Sequence, residues 1–379
     1  MSTSTRTSKP VGTRLAGFAA CSLALLVLLD ASCRKQLQGD LQGYTDVLLV
    51  ANNPYYHAVT VDTDLVNPWG MSFSPTSPIW VSDEGHGVST LYSNAGKKIA
   101  LTVVIPRRMP TDTTGHGTPT GTVFNSTSSD FWFKSGDTMV QAKFIFSTWW
   151  GQIVAWAGGD TATVVASRDT SFAEYTGLAL ATTASGANYL YAPDFQFGKI
   201  DVYDKDFNPV SGMKFWDPNL PQGYAPFNIR AINGLLYVTY AMHQSGRNDL
   251  WQSGPGLGII DIFRPDGSFV IRFAGNGPLN APWAVLPARA AFMTGNIGMN
   301  KNGDSVGVIL VGNHGDGLIN MFNATGQFIG PLMNGSMPIV VDSLWDLENT
   351  VGGANANQLY YTAGRHNGTN GNLGIIEKQ

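Results

Sequence analysis

Six short apolar segments recur along the chain at intervals of roughly 50 to 60 residues, and nothing else in the sequence limits its fold as much. They are "NPWGMSFSP" from Asn67, "GTPTGTVFN" from Gly117, "YTGLALATT" from Tyr175, "YAPFNIRAI" from Tyr224, "NAPWAVLPA" from Asn280 and "DSLWDLENT" from Asp342. Each is followed by strand-like runs split by a glycine turn, as in "YLYAPDFQFGKIDVYDKDFNPV" from Tyr189. Two copies align without a gap: "IWVSDEGHGVSTLYSNAGKKI" from Ile79 and "ILVGNHGDGLINMFNATGQFI" from Ile309 share Gly85/Gly315, Gly87/Gly317 and Gly96/Gly326. Alternation of Ile259, Asp261 and Phe263 against Ile260 and Ile262 marks half-buried strands, and "DGS" at Asp266 and "NATGQ" at Asn323 are hairpin-turn chemistry.

Each unit is thus a small antiparallel sheet that cannot bury both of its faces alone. Stacking six of them radially gives every sheet two neighbours, so the pattern predicts an all-β, six-bladed β-propeller over residues 44–379. A β-sandwich uses the same hairpin grammar, but six phased units without a linker favour the ring. The segment "YTDVLLVANNPYY" from Tyr44 has one good strand and no blade of its own, while the last unit ends at "LGIIEKQ", one strand short. The N-terminal strand is therefore expected to complete the last blade. Residues 107–121 and 287–305 read as long inter-strand loops.

The chain carries 23 Lys and Arg against 27 Asp and Glu, a net charge of -4, and has no basic run to follow a phosphate backbone, which argues against nucleic acid as a partner. At the N-terminus, Arg6, Lys9 and Arg14 precede an apolar run from Leu15 to Leu29 that is short for a membrane span. Residues 1–32 read as an export signal. Cys33, after "LDAS", resembles the lipidated cysteine of bacterial lipoproteins, with Asp30 where leucine is usual; an ordinary cleaved signal is the alternative. Residues 33–43 are polar and suit a tether, so contact with a membrane is expected only through the lipid. Cys21 and Cys33 are the only cysteines, so the folded domain has no disulfide, thiol nucleophile or Cys-X-X-Cys site.

The run "LVNPWGMSFSPTSPIWVSDEGHGVSTLYSNAGKKI", with "LYAPDFQFGKIDVYD", "LNAPWAVLPA", "ILVGNHGDGLINMFNATGQFIG" and "SLWDLE", is similar to a family of exported bacterial proteins known from sequence. More distantly the chain resembles NHL-repeat and gluconolactonase-type propellers. That resemblance implies the propeller fold; in the gluconolactonase type it also implies a metal on the channel axis, held by Glu, Asn and Asp, that polarises a lactone carbonyl. Asn228 and Asn280 match such positions, but Trp69-Gly70 stand where the first blade would need its glutamate.

In a propeller the starts of the innermost strands and the turns between second and third strands meet at one face. Asn67, Asn228, Asn280 and Asp346 map to strand starts, with Asp342 just upstream, and Asp83, Glu84, Asp194, Asn313 and His314 map to the turns. Asp83, Asp194, Asn228, Asn280 and Asn313 supply the hard oxygens that Ca²⁺ accepts and form a candidate metal set; turn capping is the competing role for each. Trp69, Trp283 and Trp345 occupy one place in their repeats, which suits packing between blades. Trp149 and Trp150 lie in a turn and, with His314, form a candidate ligand platform. The motifs of nucleotide-binding loops and of the serine-hydrolase elbow are absent from the sequence. Two functions follow as expectations: an extracytoplasmic module binding a protein, glycan or small molecule, or a Ca²⁺-dependent lactonase or esterase at the channel.

Overall fold

The computed structural model describes residues 1–2, 43–109, 115–293 and 307–379. The expected signal beyond its first two residues, Cys33 and the tether up to residue 42 lie outside these, as do residues 110–114 and 294–306 of the two long loops. Six antiparallel blades surround one axis. In chain order their innermost strands are Pro68–Ser72, Pro119–Phe124, Ala179–Thr182, Tyr224–Ile232, Pro282–Pro287 and Leu344–Glu348, one from each of the six repeated segments.

The ring closes as the sequence predicts. Blade six takes its outermost long strand from the N-terminus: Tyr44–Ala51 pairs antiparallel with Asn372–Lys378, from Tyr44 opposite Lys378 to Ala51 opposite Asn372. Tyr44 is fully buried there, its hydroxyl donating to Phe292 O at 3.0 Å. Three additions decorate the blades: a hairpin of Trp132–Ser135 and Thr138–Gln141 in blade two, the strand Arg247–Gln252 in blade four, and a short hairpin of Met333–Asn334 and Met337–Pro338 after blade five.

The core lies between blades. Blades one and two, for example, meet over Trp80, which stacks on Phe144 at 4.3 Å and packs against Trp156 at 4.5 Å. The repeated glycines are contact points in these interfaces. Gly87 and Gly317 have φ of +67° and +72°, and their carbonyls accept from Ile105 N and Val341 N, on the segment leading into the next blade. A Cβ on Gly317 would stand 2.2 Å from Val341 O. Only glycine fits both the backbone angle and the gap, so the two copies keep it for the same packing reason.

Asn67, Ala281 and Ser343 hold left-handed angles, φ 47°, 43° and 54°, immediately before the innermost strands of blades one, five and six. This bend precedes Trp69, Trp283 and Trp345 by two residues in each case. The pairing of these strands with their neighbours is also irregular, with shifts between Pro68 and Met71, Pro282 and Ala284, and Leu344 and Leu347. A bulge of this kind re-aims the side chains that follow it.

Candidate functional site

The two ends of the channel differ. At the face where the innermost strands begin, aromatic rings meet across the axis: Trp69 stacks on Trp345 at 3.6 Å and meets Trp149, Trp251 and Trp283 edge-on at 5.7, 6.1 and 6.4 Å. His314 stacks on Trp345 at 3.9 Å, with its Nδ1 3.2 Å from Leu344 O. Burial pushes the His314 pKa down to about 4, so the ring is neutral at physiological pH. Trp283 Nε1 donates to Thr176 O and Trp345 Nε1 to Asn67 Oδ1, which ties the plug to blade entries.

The ligand platform expected from the sequence is therefore divided. Trp149 is half-buried as part of the plug, because its turn folds inward with Trp149 N donating to Thr118 O. Trp150, also half-buried, lies under Arg108, whose guanidinium carbon is 5.2 Å from its ring centroid and 5.0 Å from that of Phe172.

The candidate metal set is likewise dispersed. Asp83 Oδ2 accepts from Thr90 N and Oγ1 at 2.9 and 2.7 Å, within blade one, and burial holds its carboxyl well above the usual range. Asp194 Oδ1 accepts from Glu174 N at 3.2 Å and Phe197 N at 3.4 Å, by blade three, with Lys199 Nζ 3.4 Å from Oδ2. Asn313 and Asn280 come together, both donating to Asp316 at 3.0 and 3.1 Å. Asn228 donates to Trp283 O at 3.0 Å, on the innermost strand of blade five. These bonds are the turn-capping and blade-linking roles open to Asx residues. Among the described residues no group of three or more His, Cys, Asp or Glu side chains is arranged to hold a metal.

Asn228 and Asp346 depart from their expected positions at the strand-start face. Both line a cavity of about 500 Å³ in the other half of the channel, reached by residues from the innermost strands of all six blades. The ladder is irregular at both, slipping between Pro226 and Asn228 just before the first and between Leu344 and Leu347 across the second, which re-aims these side chains along the channel.

Arg230 dominates this cavity. From blade four it reaches to blade six, where Nη1 donates to Asp346 Oδ1 at 3.2 Å and Leu347 O at 3.4 Å, and Nη2 donates to Glu348 Oε1. Asp346 is further held by Leu347 N and, from blade one, Met71 N, both at 2.8 Å. Burial pushes the Glu348 carboxyl up to about 7 against the pull of Arg230, with Asp346 adding a second negative charge beside it. Phe73, Phe124 and Ile229 contribute apolar wall, and Ser126 and Thr350 contribute hydroxyls.

Arg230 and Glu348 were not singled out from the sequence. The available signal was alternation: Asn228 and Arg230, like Asp346 and Glu348, are two apart on a strand and therefore project to the same side. Glu174 is a second unforeseen group, pushed up to about 8 by burial and by the charges of Asp249 and Asp194.

No family model matches the chain. Among solved structures, a proposed gluconolactonase covers 90% of this chain and 94% of its own at 13% identity, with a TM-score of 0.51, a likeness of fold. A gluconolactonase from Xanthomonas campestris is 13% identical over 83% of this chain and 88% of its own, with a TM-score of 0.46. In sequence the likeness is nearer. Uncharacterized protein R648 of Acanthamoeba polyphaga mimivirus is 30% identical over 339 residues, 87% of this chain and 79% of that protein. Uncharacterized protein L690 of the same virus is 30% identical over 332 residues, 85% of this chain and 82% of its own. By its repeats, its closure and this extended identity, the chain belongs to the propeller family that includes mimivirus proteins R648 and L690.

Proposed function

We propose that the chain is a binding module whose ligand, a small polar molecule, enters the channel at the face where the innermost strands end. The observation that carries this reading is Arg230, which crosses from blade four to two carboxylates of blade six at the wall of a cavity of about 500 Å³. Small-molecule sites are concave, largely apolar, and equipped with a few converging polar groups, and a buried ion network beside open space fits that description. The alternative of a Ca²⁺-dependent lactonase has less support, because its five candidate ligands each serve a turn-capping or blade-linking bond.

The test is a ligand-observed NMR screen of small polar compounds against the protein and against Ala231→Trp. Ala231 is exposed and lines the cavity, so the indole narrows its mouth without entering the core. Hits should vanish with Ala231→Trp, and their affinity should change with Arg230→Met. Hits that bind both variants as well as the parent would refute the channel as the site.

Export belongs to the same proposal. The basic residues before the apolar run support it, and Cys33→Ser should abolish incorporation of labelled palmitate in a bacterial host. Undiminished labelling would refute lipidation at Cys33.

A further inference from the structure

The ionisable side chains lining the channel cavity are Arg230, Asp346 and Glu348, one positive charge against two negative. They are not equally satisfied. Asp346 has donors on both oxygens: Leu347 N and Arg230 on Oδ1, and Met71 N on Oδ2. Glu348 has Arg230 and the backbone N–H of Asn349, one donor fewer than Asp346. One guanidinium thus serves two carboxylates, an excess of one negative charge in a wall whose other side chains are neutral. Burial without full compensation is what pushes the Glu348 carboxyl up to about 7. Arg289 donates to Asn349 O at 3.0 Å, a backbone bond beside Glu348 rather than one to its carboxylate.

An anionic ligand would add a third negative charge beside two carboxylates that already share one guanidinium. A cationic ligand supplies the missing charge and displaces nothing. Accepting that the channel is the binding site, we infer that its ligand is a small organic cation, an amine or guanidinium, whose N–H groups meet the carboxylate of Glu348 beside Arg230. Phe73 and Phe124 in the same wall suit an apolar or aromatic body behind the cationic head.

Four probes matched in size test the charge: phenethylamine, phenethylguanidine, 2-phenylethanol and phenylacetate, titrated by calorimetry into the full chain. The two cations should bind at least tenfold more tightly than the alcohol or the acid, and their affinity should rise between pH 6 and pH 8. At pH 7 their binding should release protons, seen as a heat that varies with the ionisation enthalpy of the buffer. Glu348→Gln should remove both the preference and the proton release. If that variant does not fold, Thr350→Lys places an ammonium at the exposed end of the same wall and should compete with the cations.

Two failures are distinguishable. If the alcohol or acid binds as tightly as the cations, and Ala231→Trp still abolishes binding, the channel is a ligand site and the charge argument is overturned. If the cations do not bind, the inference is overturned; if the wider screen also finds nothing that Ala231→Trp removes, the channel reading falls with it.

Discussion

Replacing Glu348 by glutamine should make the protein relatively more stable as pH rises, although it removes one side of an ion pair. The folded carboxyl titrates at about 7, against an ordinary 4.5. Below 4.5 it is protonated whether the chain is folded or not, and the neutral acid accepts from Arg230 much as an amide would. Between 4.5 and about 7 the unfolded chain has released this proton and the folded chain retains it, so stability falls as pH rises. Above 7 both forms are ionised and the loss is complete. At about 1.4 kcal/mol per pKa unit, the shift corresponds to about 3 kcal/mol. Urea unfolding of the parent and of Glu348→Gln at pH 5, 6, 7 and 8 measures the difference directly, and the comparison cancels other titrating groups such as Glu174. The two should differ by no more than about 1 kcal/mol at pH 5, with the variant ahead by up to about 3 kcal/mol at pH 8. A difference that stays constant with pH would refute the displaced titration. A variant that falls steadily behind would show the pair to be a net-stabilising salt bridge, with the sign of the reasoning reversed.

Two other perturbations address the ring. Gly317→Ala adds left-handed strain to a Cβ 2.2 Å from Val341 O and should cost at least about 2 kcal/mol, seen as a lowered melting temperature; an unchanged melt would mean the turn yields more easily than its packing implies. Removing residues 1–51 takes the buried Tyr44, Leu49 and Val50 from blade six and exposes the edge of Asn372–Lys378, so about 5 kcal/mol should be lost, with self-association on gel filtration. A monomer with unaltered stability would refute the closure as a stabilising element.

The fold was legible because its determinants are local and repeated. The apolar entries at Asn67, Asn280 and Asp342 recur at blade starts, and the glycines at 85, 87, 315 and 317 each mark a close approach to a blade entry or to the segment leading into the next blade. The closure was legible by counting strands. The site was hidden because its members are distant in sequence: Arg230 meets Glu348, 118 positions away, only once blades four to six are in place. The bulges at Asn228 and Asp346 also shift those side chains along the axis, which simple counting from the strand start does not anticipate. Trp149 was expected on a ligand platform because it lies in a turn. What it packs against, Trp69 from blade one and Trp251 from the strand added to blade four, comes from elsewhere in the chain.

The pairing of Tyr44–Ala51 with Asn372–Lys378 also sets a clock on biosynthesis. The first of these strands is among the earliest parts of the domain to leave the ribosome and its partner is the last. At about 5–20 residues per second the early strand waits on the order of tens of seconds with that edge unpaired. During that interval the nascent chain holds five blades' worth of sequence and cannot lock. A chain that must pass through a membrane pore before folding has a use for such a delay, and a chaperone that shields lone strands has a defined period in which to act.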